Sequence, residues 1–556
     1  MLIYGIGMLP LTQLLQRELP ACIQPWFADD AGAGGGFSNI LQYFKRLQDE
    51  GPARGYFPEP TKSILVVQPR NVERAKATFA PLGFTIVTGA RYLGGHVGTV
   101  ESKNEYVKER VKLWEEGIIS LSRIAKSSPQ CAFVGLQKSL QSEWTHLQRV
   151  LADIGPAFAP VESAIRSHFI PALLEADSIG DSLRDILALP VKAAGIALPD
   201  PTATATHNHA ASTAGTTVIS AALLHRAEWN YPTHKATMRA ARLVAREEKL
   251  QRADDTITSL SPAMTPLQLR KITRARSTGA WISVLPSDVN GLSLSKLEYR
   301  DGMRMRYGLP PKNIPQRCDG CDGKFSVGHA LACKKGGLVV MRHNEVRDEI
   351  AHLATLALSS SRVRDEPIIN IGLHARETKF QNAQHVQSSS PSQPANTHSP
   401  PHQDGNFFDR GDLLIHGLFE KQTSCILDIR VTDTDSPSYL SSTPERCIRN
   451  QEKAKKKKYL EACLEQRRHF TPYVCDTNGL LGAEAEAVNK RLAGKLASKW
   501  RTPYSVTCGF VRARISVAIL RATHLCLRGS RVPFRHASSK WSAWEDGAGL
   551  GLYREI

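Results

Sequence analysis

Residues 411 to 431 read G-D-L-L-I-H-G-L-F-E-K-Q-T-S-C-I-L-D-I-R-V. Two apolar runs, Leu413 to Ile415 and Cys425 to Val431, flank a polar turn, which is the pattern of an antiparallel hairpin. With the turn centred near Glu420, Asp412 and Asp428 are equidistant from it and are expected to lie opposite one another. An acid inside an apolar strand such as I-L-D-I-R-V is costly to bury unless it is paired or binds a cation. Two such acids side by side can share a magnesium ion, whose chemistry is to polarise a phosphate and supply hydroxide. A plainer reading also fits: Asp412 as a turn acid, and Asp428 as a strand acid paired with Arg430, which shares its face.

Downstream, Arg449 to Gln466 reads as a helix carrying Lys453 and Lys455 to Lys458 before Tyr459-Leu460. A lysine from this run that reaches the acids would stabilise charge developing on a phosphate. The same run fits a solvated helix face or a nuclear localisation signal. Upstream, Arg342 to Leu353 is amphipathic, with Val346, Ile350 and Leu353 inward. Phe470 to Val474 and helices over Gly482 to Trp500 and Ser505 to Leu527 would close a sheet between helices. Arg342, His343, Arg512 and Arg514 are expected to meet nucleic acid.

Before these stands C-D-G-C-D-G-K-F-S-V-G-H-A-L-A-C, which sets Cys318, Cys321, His329 and Cys333 at metal-ligand spacing. The first two cysteines flank a tight turn, and His329 and Cys333 at i and i+4 share a helix face. Three thiolates and an imidazole suit tetrahedral zinc and leave no open position, so the site is expected to be structural.

Taken together, the quartet, Arg342-His343-Asn344, the acid pair and the K-x-x-K-Y of Lys455 to Tyr459 resemble the restriction-enzyme-like endonuclease, of PD-(D/E)XK type, that ends certain non-long-terminal-repeat retrotransposons. The resemblance implies an α/β domain with a mixed sheet and Asp412 and Asp428 as ligands of catalytic Mg2+. It also implies Lys455, moved from strand to helix, as the catalytic lysine, Lys458 as the other candidate, and Glu349 as the helix acid. Where the family has proline before the first acid this chain has Gly411, and where the strict pattern has lysine after the second it has Arg430.

Near the start, Phe27-Ala28-Asp29-Asp30, Lys62 before the strand Ser63 to Val67, and Tyr92-Leu93-Gly94-Gly95 resemble the late palm motifs of the reverse transcriptase of the same elements. The implied palm would have its fingers and first metal-binding acid before Met1. Without them Asp29 and Asp30 are expected to hold metal weakly, and polymerase activity is not expected of this chain alone.

In bulk, 556 residues with a 42% hydrophobic fraction predict about three to four domains, each with a core. A net charge of +18 makes a polyanion the leading partner. Eleven scattered cysteines predict a reducing compartment rather than a secreted disulfide framework. The expectation is an α+β multidomain chain: a truncated palm over 1–100; a helical thumb or connector over 101–310 with a loop near 199–215; a zinc module over 311–340; a nuclease over 341–535 with a disordered insertion at 376–410; and a tail at 536–556. The expected partners are a DNA target site and element RNA, without a membrane, in the nucleus or otherwise the cytoplasm. Three functions stay open: target-site nicking, nucleic-acid binding by a catalytically inactive remnant, and polymerisation completed by another chain.

Overall fold

The computed structural model describes residues 2–225, 228–371 and 408–532, and the chain divides into two compact units, Met1–Ala263 and Met264–Ile556. It is a mixed α+β architecture in which helices predominate. Among the described residues no helix is long and apolar enough to cross a membrane. The expected tail, and the expected insertion apart from residues 408–410, lie outside the described residues.

In chain order the second unit runs α1 (Pro266–Ala275), α2 (Lys296–Arg306), α3 (Val327–Ala332), α4 (Leu338–Ala357), β1 (Val363–Asp365), β2 (Ile368–Ile371), β3 (Phe408–Arg410), β4 (Leu413–His416), β5 (Ser424–Thr432), α5 (Pro444–Glu465), β6 (Arg468–Asp476), α6 (Ala483–Trp500) and α7 (Tyr504–Arg528). Four strands form one sheet in the order β6, β5, β4, β1. β5 and β6 are parallel, and β4 is antiparallel to both β5 and β1. β2 and β3 pair separately.

Central β5 is buried on both faces, which its apolar run allows. Cys425, Leu427 and Ile429 point into a core with Val346 and Ile350 of α4, Leu492 of α6 and Ile515 of α7. Ile426 points the other way, against Tyr459 and Cys463 of α5 and Phe470 of β6. Asp428 follows Ile426 by two residues and so belongs to the α5 side. Parallel strands need a crossover, and α5 supplies it, opened by Pro444 and by the Thr443 hydroxyl accepting from the Arg446 N–H. β6 tolerates Pro472 because it is the sheet's edge.

The helices at 266–275 and 296–306, grouped from sequence with the connector, pack in the second unit. Arg274 is 2% exposed, meets Asp435 through two bonds of 2.7 and 2.8 Å, and lies 3.3 Å from fully buried Asp476 at the end of β6. Removing one partner of such a pair strands a buried charge. Arg274→Ala is therefore expected to destabilise this unit by about 3–5 kcal/mol, read as a lower urea midpoint at unchanged slope.

A second cluster ties α2 to α7. Asp301, 2% exposed, accepts from Arg528 at 2.8 and 2.9 Å and pairs with His524 at 3.0 Å. Burial pushes the Asp301 carboxyl up, but the bonds and charges of His524 and Arg528 outweigh it and hold it below its ordinary 3.8. A depressed folded-state value contributes stability that is present above 3.8 and lost as pH falls through the lower folded value. Melting followed from pH 7 to pH 3 is expected to show this loss in the parent chain and a smaller acid dependence in Asp301→Asn.

The first unit opens on a helix, Leu2–Glu18, whose Leu11 and Leu15 are buried against Tyr43 and Leu47 of the helix Phe37–Glu50. Ile3, Ile6 and Leu9 of the opening helix are exposed. Helix Val100–Ala125 buries Val107, Val111, Trp114 and Ile118 at helical spacing. The loop expected near 199–215 is instead a helix, Pro201–His225. Asp200 accepts from the Thr202 N–H at its start, and Gln148 donates to the Pro201 carbonyl at 2.7 Å. Its Ala, Ser and Thr residues show no apolar stripe. Small side chains let it lie close to the helix Tyr231–Leu260, where a Cβ on Gly215 would stand 3.8 Å from Ala241.

Candidate functional site

The ladder runs from His416↔Ser424 to Leu413↔Leu427, and Asp412 and Asp428 are the residues next to its last pair. The Asp412 N–H donates to the Leu427 carbonyl at 3.0 Å, and its carboxylate accepts from the Ile429 N–H at 2.5 Å. The Asp412 carboxylate is near enough to raise the Asp428 pKa. Lys455 approaches from α5, with Nζ 2.7 Å from Asp428 Oδ2. Helical spacing selects it: Ile448, Glu452 and Tyr459 are among the buried positions of α5, and 455 continues that face. Asp428 thus pairs with Lys455, and not with Arg430 as the plainer reading had it.

His343 of α4 completes the group, with Nε2 3.2 Å from both Asp412 Oδ2 and the Ile429 carbonyl. Burial lowers the His343 pKa, but its bond to Asp412 and that carboxylate's charge raise it above its ordinary value. For Asp412, burial pushes the carboxyl up while His343, the Ile429 amide and Lys455 pull it below the ordinary range. Asp428 stays raised, by burial and by Asp412, despite Lys455. Unequal values in adjacent carboxyls are what one proton shared between two like charges produces. A divalent cation would relieve the same repulsion, and the Asp412, Asp428 and Ile429 oxygens are hard donors of the kind magnesium takes.

Other expected residues fall elsewhere. Glu349 is held by Arg514 through two bonds of 2.7 Å, so α4's acid and α7's arginine neutralise each other; neither is free for metal or phosphate. Arg342 is 4% exposed and donates to the Leu331 carbonyl, which makes it a strut rather than a surface contact. Arg512 is exposed. Lys458 turns outward to Asp409 and the Tyr459 hydroxyl. In the first unit Asp29 and Asp30 are exposed at the tip joining Trp26–Phe27 to Asp30–Ala31, and Lys62 is exposed in a short turn before Ile64–Val66. Sequence reading gave His343 a nucleic-acid contact and did not foresee its place on Asp412. The available signal was weak: it precedes the inward residue Val346 by three, one helical turn.

The second group is the cysteine–histidine quartet, whose ligand atoms all lie within 4.8 Å of one another. Residues Arg317 and Lys324 bridge a tight turn in which Asp322 takes a left-handed φ of 58°. Ser326 caps α3, and this helix carries His329 and leads to Cys333. Cys333 Sγ stands 3.9 Å from both Cys318 and Cys321, and Cys321 Sγ 3.4 Å from His329 Nε2. A tetrahedron with metal–sulfur bonds of about 2.3 Å has edges of about 3.8 Å, so the donors stand where a zinc-sized ion would put them. Burial pushes the Cys318 thiol up, but the Gly320 amide, His329 and Cys321 lower it to about 6, which favours the ligating thiolate. The quartet can bind a metal such as zinc.

This turn is built into the unit. Cys318, Phe325 and Cys333 share a core with Met305 of α2 and Leu527 of α7. Arg531, 2% exposed, donates to the Ala330 carbonyl at 3.1 Å and sits over the Phe325 ring, while Asp319 accepts from its amide at 2.7 Å. Gly336 has φ 68°, and a Cβ there would come 2.4 Å from Arg531 Cα, so only glycine fits. No protein-family model and no curated protein matches this chain.

Proposed function

We propose that the second unit is a magnesium-dependent DNA endonuclease of the restriction-enzyme-like kind, derived from a non-long-terminal-repeat retroelement, with a structural zinc at its cysteine–histidine quartet. The observation that carries this reading is Asp428: a carboxylate in the apolar middle of β5, facing a second carboxylate, with a lysine of the crossover helix upon it. Burying two like charges costs stability, and a site that acts on phosphate accounts for keeping them.

Asp412, Asp428 and the Ile429 carbonyl would hold magnesium, which supplies electrophilic stabilisation of the scissile phosphate and a more acidic attacking water. Lys455 would turn its ammonium to the phosphate oxygens and stabilise the charge that grows there. His343 fixes the Asp412 carboxylate and the Ile429 carbonyl in one orientation. The basic chain steers DNA to the site, and a DNA substrate makes the nucleus the compartment of action. The palm-like motifs of the first unit are assigned no catalysis in this reading, and element RNA is a partner only through them.

Binding without cleavage is the second reading. Lys455 favours it by sitting on an Asp428 oxygen that a cation would use. The test is incubation of the zinc-loaded chain with supercoiled plasmid carrying a random-sequence library. Open circles that form with magnesium and stop on chelation support the nuclease. Tight DNA binding with no nick in magnesium or manganese across the library overturns it in favour of binding alone.

A further inference from the structure

At the turn end of the hairpin, away from the acid pair, an open groove of about 630 Å³ runs between α6 and the β4–β5 turn. Its floor is apolar: Ala357 at the end of α4, Leu358 after it, and Leu418 and Phe419 of the turn. Its rim is cationic, with Lys490, Arg491, Lys495 and Lys499 of α6, and Arg362 and the turn's Lys421 stand close enough to act on Lys495 through their charge. The guanidinium of Arg491 lies 6.0 Å from the centre of the Phe419 ring. Burial lowers the Lys495 pKa, and the charges of Arg362, Arg491 and Lys421 lower it further. Two acids lie nearby: Glu420 is exposed on the same turn, and Glu486 is 3.8 Å from Lys490. Cations gathered around an apolar floor favour a polyanion with a non-polar face.

We propose that this groove binds a single-stranded nucleic acid, with a base against Phe419 and successive phosphates on Arg491, Lys495 and Lys421. A duplex keeps its base faces stacked inside and offers the floor nothing, whereas a single strand offers both phosphates and π-faces. Leu418 and Phe419 of the groove belong to the turn that leads into β5, and the first residue of that strand, Ser424, is four residues, or about 13 Å, along it from Asp428. The groove's chemistry does not depend on whether that pair cuts.

The experiment is fluorescence anisotropy of the full chain with labelled 15-nucleotide oligo-dT, oligo-rU and a 15-base-pair duplex, from 50 to 300 mM salt. Arg491→Gln with Lys495→Gln, both near the surface, is expected to weaken single-strand binding at least about tenfold and to reduce the magnitude of its log–log salt slope by about 1.4, or 0.7 for each lost phosphate contact. Phe419→Ala is expected to cost about tenfold on the single strands, and Phe419→Trp to restore it. The two single-strand arms show whether DNA or RNA is the ligand. Single-strand binding unchanged in the charge variant, or duplex binding weakened as much as single-strand binding, overturns the proposal. Asp428→Ala keeps the groove intact, so failure of the nuclease leaves this result readable.

Discussion

Asp428→Ala is expected to abolish magnesium-dependent nicking while leaving the protein at least as stable as its parent. The electrophilic stabilisation lost with a metal ligand is worth several kcal/mol, or a rate loss beyond about 10³-fold. Stability moves the other way because the carboxyl is buried, its pKa is pushed up by burial and by Asp412, and only Lys455 offsets this. Removing a group held at a cost relieves the fold, and Lys455 retains Asp412 as a charge neighbour. Activity lost at unchanged or higher melting temperature separates a working carboxylate from a structural ion pair, whose loss would lower both. Lys455→Ala is expected to cost about 10²–10³-fold. Lys458→Ala should change the rate little, because that lysine is exposed and turned to Asp409. Equal losses at the two lysines would sink the assignment of Lys455.

The second large effect concerns the quartet. Stripping metal, or replacing Cys333 by serine, is expected to lower the melting temperature of the second unit by about 10 °C or more. A bound structural zinc contributes folding energy outright, and a unit of this size loses about 2–4 °C per kcal/mol. The effect should spread beyond the turn, since Cys318 and Cys333 share a core with Met305 and Leu527, and buried Arg531 ties the turn to the end of α7. Metal analysis is expected to give one zinc per chain, lost in Cys333→Ser and kept in Cys131→Ser, whose cysteine is exposed in the other unit. A quartet variant that melts with its parent and retains no zinc would show the metal to be dispensable.

Legibility differed from element to element for physical reasons. A hairpin with a short turn has a register set by its centre, so the nearness of Asp412 and Asp428 could be read from their numbering. Metal-ligand spacing is equally local, and the four donors cluster within a single turn-and-helix segment. The helix Pro201–His225 was illegible because packing through small residues leaves no apolar period. Arg342, Glu349 and Arg514 looked like charges awaiting a ligand. Sequence carries no mark of the carbonyl and the counter-ion, from segments up to 165 positions away, that satisfy them.

By itself, then, the sequence determined what depends on near neighbours: the hairpin and its two acids, the quartet, the amphipathic face of α4, the lysine-bearing helix α5, and an excess of positive charge. Only the tertiary structure decided which lysine of five reaches Asp428, that His343 lies on Asp412, and which arginines are spent on buried acids such as Asp301, Asp435 and Asp476. The reason is that a charge's partner is set by whichever segment packs against it. Here those segments lie between 27 and 227 residues apart, as Asp428 with Lys455 and Asp301 with Arg528 show.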